Sequence, residues 1–490
     1  MSSHVTLRLI YILFDKSDSW NLCTMFETIC ETIQSDDSLP ERARKLEIYR
    51  RVLDGTLYDG LPYQFHEERS GSGEYIPLRA RRPSVRYGLC RIVVDDSVAL
   101  LFSAGHFPAI QCDDNRLSLL LTDMIRECRI NEIMIEAAIR GSIGSVAILM
   151  RVLSGRLFFN VIDSLYLTPT WRDDAPDRLA KVTERYKVKG ADLLLQSYTD
   201  IDPDCYYWFT RTWTDQSELW FLPTLTGDIG AEPAIDEIRS INHGLGFVPI
   251  IWIRNLPGGD GIDGACTFRA AIETSIEIDY QLSQAGRGLK YSSDPTLLIK
   301  EPATSDSEIV KGAGNALVVS EKGDAKLLEI GGTASAAVID YVRILREFAL
   351  ESVHGNRTHA DRLTAAQSGR ALELLNQGLI WLADNLRVSY GEGGLLPLLQ
   401  MALEATQKFR ISVFGQVVTP VEGHTRMTLR WPRWYPLSAD DRLKDAQAIA
   451  TLVNAGQLSR ETAVTALAAM TGVTDVTEEI NKIMQDDMTA

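Results

Sequence analysis

The chain has 490 residues, with 66 acidic against 50 basic side chains, a formal net charge of -16 and ordinary apolar, charged and aromatic fractions. That length buries a substantial core and holds several subdomains, while the acidic balance excludes a non-specific grip on nucleic acid or on an anionic membrane. Seven scattered cysteines without a C-x-x-C pair exclude a structural zinc and fit a reduced, cytoplasmic setting.

Taken in order, VTLRLIYILF resembles a signal h-region, but Arg8 interrupts it and no small-residue cleavage site follows before Asp15, so no secretory signal is expected. Residues 1–84 mix short apolar runs with charge and end in ERSGSGEYIPLRARRPS, which reads as a flexible basic surface arm. An apolar segment from Tyr87 to Phe107 leads into a Gly-His-Phe-Pro turn, and one helix is expected from Arg116 to Arg140, stopped by Gly141. Glu136, Arg140 and Arg151 make a membrane span over Ile133–Leu153 untenable, and a soluble protein is expected. SVAILMRVLSGRLFFNVID reads as a helix end or strand, a Ser-Gly turn and a strand. Between Ala180 and Pro223, β-branched and aromatic runs bounded by Asp, Gly and Pro predict antiparallel strands. FVPIIWI (247–253) is a short buried strand, with Pro249 suited to an edge.

The glycines of NLPGGDGIDGA invite comparison with a phosphate loop. No Gly-Lys-Ser/Thr follows, and Asp260 and Asp263 would repel phosphate, so a turn entering a helix is the better reading. That helix is expected over Ile262–Ala285, with Phe268, Ile272, Ile276 and Tyr280 on one face and Arg269, Glu273 and Glu277 on another. A compact insert of strands follows, Gly286 to Ile330, containing DPTLLI, NALVVS and AKLLEI. From Gly331 to Tyr390 the spacing predicts two long helices around a polar loop. The first, capped by Thr333 or Ser335, sets Val338, Tyr341, Val342, Leu345, Phe348 and Ala349 against Asp340, Arg343, Glu347 and Glu351. The loop, HGNRTHADRL (354–363), has Gly355 and Asn356 as breakers. The second helix opens on a Thr364/Gln367 capping box and buries Ala371, Leu374, Leu375, Leu379, Leu382 and Leu386, with Gly378 marking a kink or a close backbone approach. A helix near Leu395–Arg410, the strands ISVFGQVV and RMTLRW and a Trp-Pro-Arg-Trp-Tyr-Pro corner come next. The tail is helical, with Ser438 and Ser459 as N-caps and Gly456 and Gly472 as stops.

Chemistry is sparse. None of the seven histidines has metal-ligand spacing, and His354 with His359 reads as a solvated loop pair. There is no G-x-S-x-G elbow and no ATP site. Glu273 and Glu277 are a conceivable carboxylate pair for a hydrolase, but one helical turn apart they read as a solvated face with Arg269 placed to pair with Glu273. No enzyme and no cofactor are expected.

The order of these parts resembles the portal (connector) proteins of tailed bacteriophages, siphophage type. The resemblance runs from about Tyr87 to Lys482. It rests on RYGLCRIVVDDSVALLFSAGHFP, the pair of elements through Pro169, NHGLGFVPIIWIRN with its Gly-rich turn and helix, the helix, polar loop and SGRALELL helix, and RWPRWYPLSADDRLKDAQAIATLVNAGQLSRETAV. It implies an α+β portal-type fold. Residues 1–86 would be an N-terminal arm and the start of the wing, 87–261 a mixed wing, 262–285 and 333–353 the two stem helices, and 286–332 a small clip. Residues 354–363 would form a tunnel loop, 364–435 a long kinked helix and the rest of the wing, and 436–490 a helical crown. It implies a ring, dodecameric in the family, at one capsid vertex, through which terminase packages DNA that is later ejected. The ring would nucleate capsid assembly in the host cytoplasm and join head to tail in the virion. Partners would be copies of the chain, the terminase large subunit, a head-completion protein, major capsid and scaffolding proteins, and double-stranded DNA held weakly and without sequence preference. The site residues carried over are His354, Asn356, Arg357, Thr358, His359 and Arg362 in the tunnel loop, Arg269, Glu273 and Glu277 along the stem, and Lys290, Asp294, Glu301 and Lys311 in the clip. A smaller ring-forming virion adaptor, or a hydrolase built on Glu273 and Glu277, would be the alternatives.

Overall fold

The computed structural model describes residues 25–33, 39–103, 105–228, 233–293, 296–302, 319–328, 333–356, 373–420, 426–435, 439–471 and 476–489. Helices α1 (Met25–Thr32), α2 (Glu41–Leu53) and α3 (Leu89–Phe102) come first, then strand β1 (Ala109–Cys112) and helices α4 (Asn115–Glu127) and α5 (Ile130–Gly141). The single helix expected over Arg116–Arg140 is thus two: Arg129 takes φ 51° between them, which breaks the helix while its apolar spacing carries on.

Strands β2 (Ser145–Leu153) and β3 (Arg156–Asp163) form an antiparallel hairpin across Ser154-Gly155, both at positive φ as a two-residue turn requires. Strands β4 (Leu167–Trp171), β5 (Leu179–Lys189), β6 (Tyr206–Trp213) and β7 (Ser217–Trp220) then run as an antiparallel meander, interrupted by the short helix α6 (Gly190–Leu195). Strand β8 (Ile250–Arg254) pairs with β2 and ends the order β8-β2-β3, so Pro249 does sit at a sheet edge. Ala147, Leu149 and Ile250 from this sheet close a core with Leu167, Val182 and Trp213 of the meander.

The helix expected over Ile262–Ala285 starts ten residues later and ends eight later, as α7 (Ile272–Ser293). Its predicted first turns are spent on the loop. Asp260 Oδ1 accepts the N–H groups of Ile262 and Asp263, Gly264 N–H donates to Gly144 O, and Leu256 pairs with Ala265. Strands β9 (Thr296–Pro302) and β10 (Val319–Leu328) pair antiparallel, and α8 (Thr333–Ser352) follows within a residue of the expected helix. After Asn376, α9 (Gln377–Leu386), a nine-residue π-helical segment (Arg387–Leu395) and α10 (Leu396–Lys408) run without a break. The expected end at Tyr390 therefore falls inside a continuous helix. Strand β11 (Met427–Arg430) pairs with β1, and α11 (Ala439–Asn454), α12 (Arg460–Thr471) and α13 (Val476–Thr489) close the chain. Gly456 at φ 70° stops α11, and Ser459 Oγ caps α12 by accepting Thr462 N–H at 3.1 Å. Ser438, Gly472 and the Thr364/Gln367 box lie outside the described residues.

The chain divides into two compact units. One joins residues 1–92 to 268–352, the other 93–267 to 353–490.

Candidate channel-forming elements

In the first unit, the expected basic arm is a built platform. Arg81, 2% exposed, donates from its guanidinium to Ile76 O, and Arg82 donates to Leu61 O. Arg86 pairs with Asp59 at 2.8 Å, and Arg287 of α7 pairs with Glu68. Arg81 and Arg82 thus tie the loop to the backbone around it, while Arg69 and Arg79 stay exposed.

That platform holds α7. Asp279, buried, accepts Tyr58 Oη–H at 2.8 Å and Tyr87 N–H at 2.7 Å; Ser283 Oγ accepts Val85 N–H, and Tyr280 Oη donates to Arg81 O. Burial pushes the Asp279 carboxyl up to about 6, against the lowering effect of its two donors. A raised folded-state pKa means the folded chain keeps a proton that the unfolded chain has lost. Stability therefore falls as pH rises from about 4 to about 6, by roughly 3 kcal/mol for this group. Asp279→Asn should match the parent at pH 4 and exceed it at pH 7, measured by urea unfolding at the two pH values.

The expected stem residues are placed as follows. Arg269 is exposed and lays its guanidinium 5.3 Å from the Phe26 ring centroid. Glu273, half-buried, accepts Phe26 N–H at 3.4 Å, and Glu277 accepts from Gln281 Nε2 at 2.7 Å. Cys30 lies beside them, its thiol pushed up to about 11 by burial and by the Glu273 charge. The surface that α7 offers at Glu273 is thus partly covered by α1. Lys290 is exposed in the last turn of α7. Glu301 falls at the register shift of β9, one residue past the Lys300–Asp324 cross-strand pair. Asp294 and Lys311 lie outside the described residues.

In the second unit, His354 stands at φ 55°, a left-handed stop after α8, with Gly355 buried behind it. Its ring meets Trp381 of α9 edge-on at 6.1 Å. No close approach explains Gly378, because a Cβ there would meet His354 at an ordinary 3.8 Å, and the helix breaks at Asn376, two residues earlier. Asn356 is also described; Arg357, Thr358, His359 and Arg362 are not.

Sequence reasoning missed the joint that holds the π-helical segment. Asn255, 2% exposed at the end of β8, donates from Nδ2 to Ala265 O (2.7 Å), Thr267 Oγ1 (2.9 Å) and Ser142 O (3.3 Å), while its Oδ1 accepts Tyr390 Oη–H at 3.1 Å. Ser389 Oγ donates to Asn255 O. Arg387, its pKa held down to about 10 by burial, stacks 3.2 Å from the Trp434 ring centroid and 4.7 Å from that of Trp431. His106 Nε2 reaches Trp434 O at 2.9 Å. The Trp-Pro-Arg-Trp-Tyr-Pro run flagged this corner, but its partner Arg387 carried no local signal.

A model of the family described as phage portal protein, SPP1 Gp6-like, matches residues 65–490. The chain belongs to this family. It is a phage portal protein. No curated protein sequence matches the portal chain. Among solved structures it is similar to a chain of the virion of a native gene transfer agent particle (13% identity, TM-score 0.37, covering 80% of the portal chain and 94% of the other). It is also similar to a chain of the neck of a native gene transfer agent particle computed with C12 symmetry (11% identity, TM-score 0.40, covering 90% and 97%). Within the portal chain, residues 25–64 precede the matched span, and they include the helix α1 that rests on Arg269 and Glu273.

Proposed function

We propose that the portal chain closes into a dodecameric ring at one capsid vertex, through which terminase drives DNA inward and from which DNA later leaves. In this reading α7 and α8 are the stem, the β9–β10 hairpin is the clip that meets terminase and then a head-completion protein, and the loop opening at His354 faces the channel. Lys290, Asp294, Glu301 and Lys311 serve the clip's partners, Arg269, Glu273 and Glu277 belong to the stem wall, and Arg357, His359 and Arg362 touch the passing duplex. The net charge of -16 suits passage, because few cations are present to release condensed counterions and phosphates slide instead of binding.

The observation that carries the ring is on α8. The sequence assigned Tyr341 and Phe348 to a single packed face. In the folded chain Val338, Val342 and Leu345 are half-buried and Ala349 is buried, while Tyr341, Ile344 and Phe348 stay 45%, 48% and 60% exposed. The helix therefore carries a second apolar stripe at three- and four-residue spacing that its own chain does not cover, as a subunit flanked by identical neighbours requires. Negative-stain imaging with mass by light scattering tests this. Rings of about a dozen subunits are expected, and Ile344→Glu with Phe348→Glu should leave a monomer with the parent's far-ultraviolet circular dichroism and a Tm lowered by the loss of association. A parent protein that stays monomeric at every concentration would overturn the reading.

A further inference from the structure

A second interaction surface stands in the other unit, where two hairpins meet. The Ser154-Gly155 turn of β2–β3 touches the short hairpin Ser412–Val417: Ser412 N–H donates to Gly155 O at 2.9 Å, and a Cβ on Gly155 would lie 2.9 Å from Arg410 O. Glu127, at the end of α4, ties them together, with Oε2 accepting Phe414 N–H at 2.7 Å and Oε1 pairing with Arg156 at 3.4 Å. Phe414 and Gly415 form the turn with φ 46° and 78°. The first position of such a turn ordinarily takes Asn, Asp or Gly, and a bulky residue at positive φ is strained by about 1–3 kcal/mol. Burial does not compensate Phe414 for that strain, because its side chain is 60% exposed.

The two hairpins carry further uncovered apolar side chains: Leu153 (54% exposed), Val417 (51%) and Phe158. Leu153 lies directly across the ladder from Arg156, whose guanidinium stacks over the Phe158 ring at 5.5 Å. Around them the charge is basic. Arg156, Arg129 and Arg410 are exposed; Arg156 pairs with Glu127 and Arg129 with Glu132 at 3.7 Å, so these three arginines against two glutamates leave the patch net positive in a chain whose net charge is -16. An apolar centre inside a charged rim is the anatomy of a protein interface, and its sign selects the partner. We propose that this two-hairpin knuckle docks an acidic segment, bearing apolar side chains, of a second protein of the particle. Phe414 is the anchor, held outward by Glu127, and Arg156 and Arg410 are the rim that reads the acidic charge.

The test places a photoreactive side chain at the tip, Phe414→benzoylphenylalanine, in the full chain during particle assembly, with the crosslinked peptide identified by mass spectrometry. Crosslinking to an acidic segment of another particle protein is expected, falling about tenfold when Arg156→Glu and Arg410→Glu are added. Phe414→Asn suits the turn better, so it should keep or raise Tm while that protein is lost from the particle. A crosslink to nucleic acid or to another copy of this chain, no crosslink at all, or a lower Tm for Phe414→Asn would overturn the proposal. Ring mass by light scattering, recorded on the same variants, reports separately on the portal reading.

Discussion

Asn255→Leu should destabilise the chain by about 4 kcal/mol, read as a fall in urea midpoint with unchanged slope. Leucine keeps the branched skeleton of asparagine and is bulkier, so the cost is not a cavity. It comes from the groups left behind: Ala265 O, Thr267 Oγ1 and Tyr390 Oη lose a partner inside a core where Tyr390 is fully buried. Each buried polar group left without a hydrogen bond costs roughly 1–3 kcal/mol. Tyr390→Phe removes one hydroxyl of the same set and should cost only about 1 kcal/mol. A double variant that costs no more than Asn255→Leu alone would show that the two act as one joint.

Gly391→Val should cost about 3 kcal/mol and shift the helix at the π-helical segment. A Cβ at this position would stand 2.6 Å from Trp431 Cζ2 and 2.9 Å from Leu429 Cδ1. Both neighbours are held by other contacts. Leu429 belongs to β11, paired with β1, and Trp431 packs on Phe102 and stacks with Arg387. Hydrogen exchange across residues 387–395 should accelerate in this variant; exchange and stability at parental values would mean that the helix and the Trp corner are not in register-determining contact.

Periodicity served best where an element answers only to its own sequence. Helix α8 was placed to within a residue, and the Ser-Gly hairpin, the strands after Ala180 and the Ser459 cap all lie where their spacing put them. It failed where tertiary partners decide. The apolar repeat of Phe268, Ile272, Ile276 and Tyr280 is real, but hydrogen bonds from Asp260 and Gly264 hold the preceding backbone in a loop until Phe268. The basic run before Arg86 looked mobile because its acceptors, Ile76 O and Leu61 O, are set by the fold and not by the spacing of the run. Of the residues expected along the stem, Glu273 and Glu277 were located on a helix correctly by their spacing. That spacing gave no hint that Phe26, almost 250 positions earlier, would be seated against one of them.

The first unit is assembled from two stretches separated by about 175 residues, from Val93 to Thr267. At a ribosomal pace of 5–20 residues per second, residues 1–92 emerge roughly 9–35 s before the helix they enclose. Throughout that interval Tyr58 has no Asp279 and Phe26 no Glu273 to bond, and Ile29, Leu46, Leu57 and Leu61, buried in the finished chain, await the completed unit. Nascent portal chains stalled anywhere between Ile92 and Phe268 should therefore bind chaperones and be cut readily near Tyr58, and protection there should appear only once α7 has left the exit tunnel.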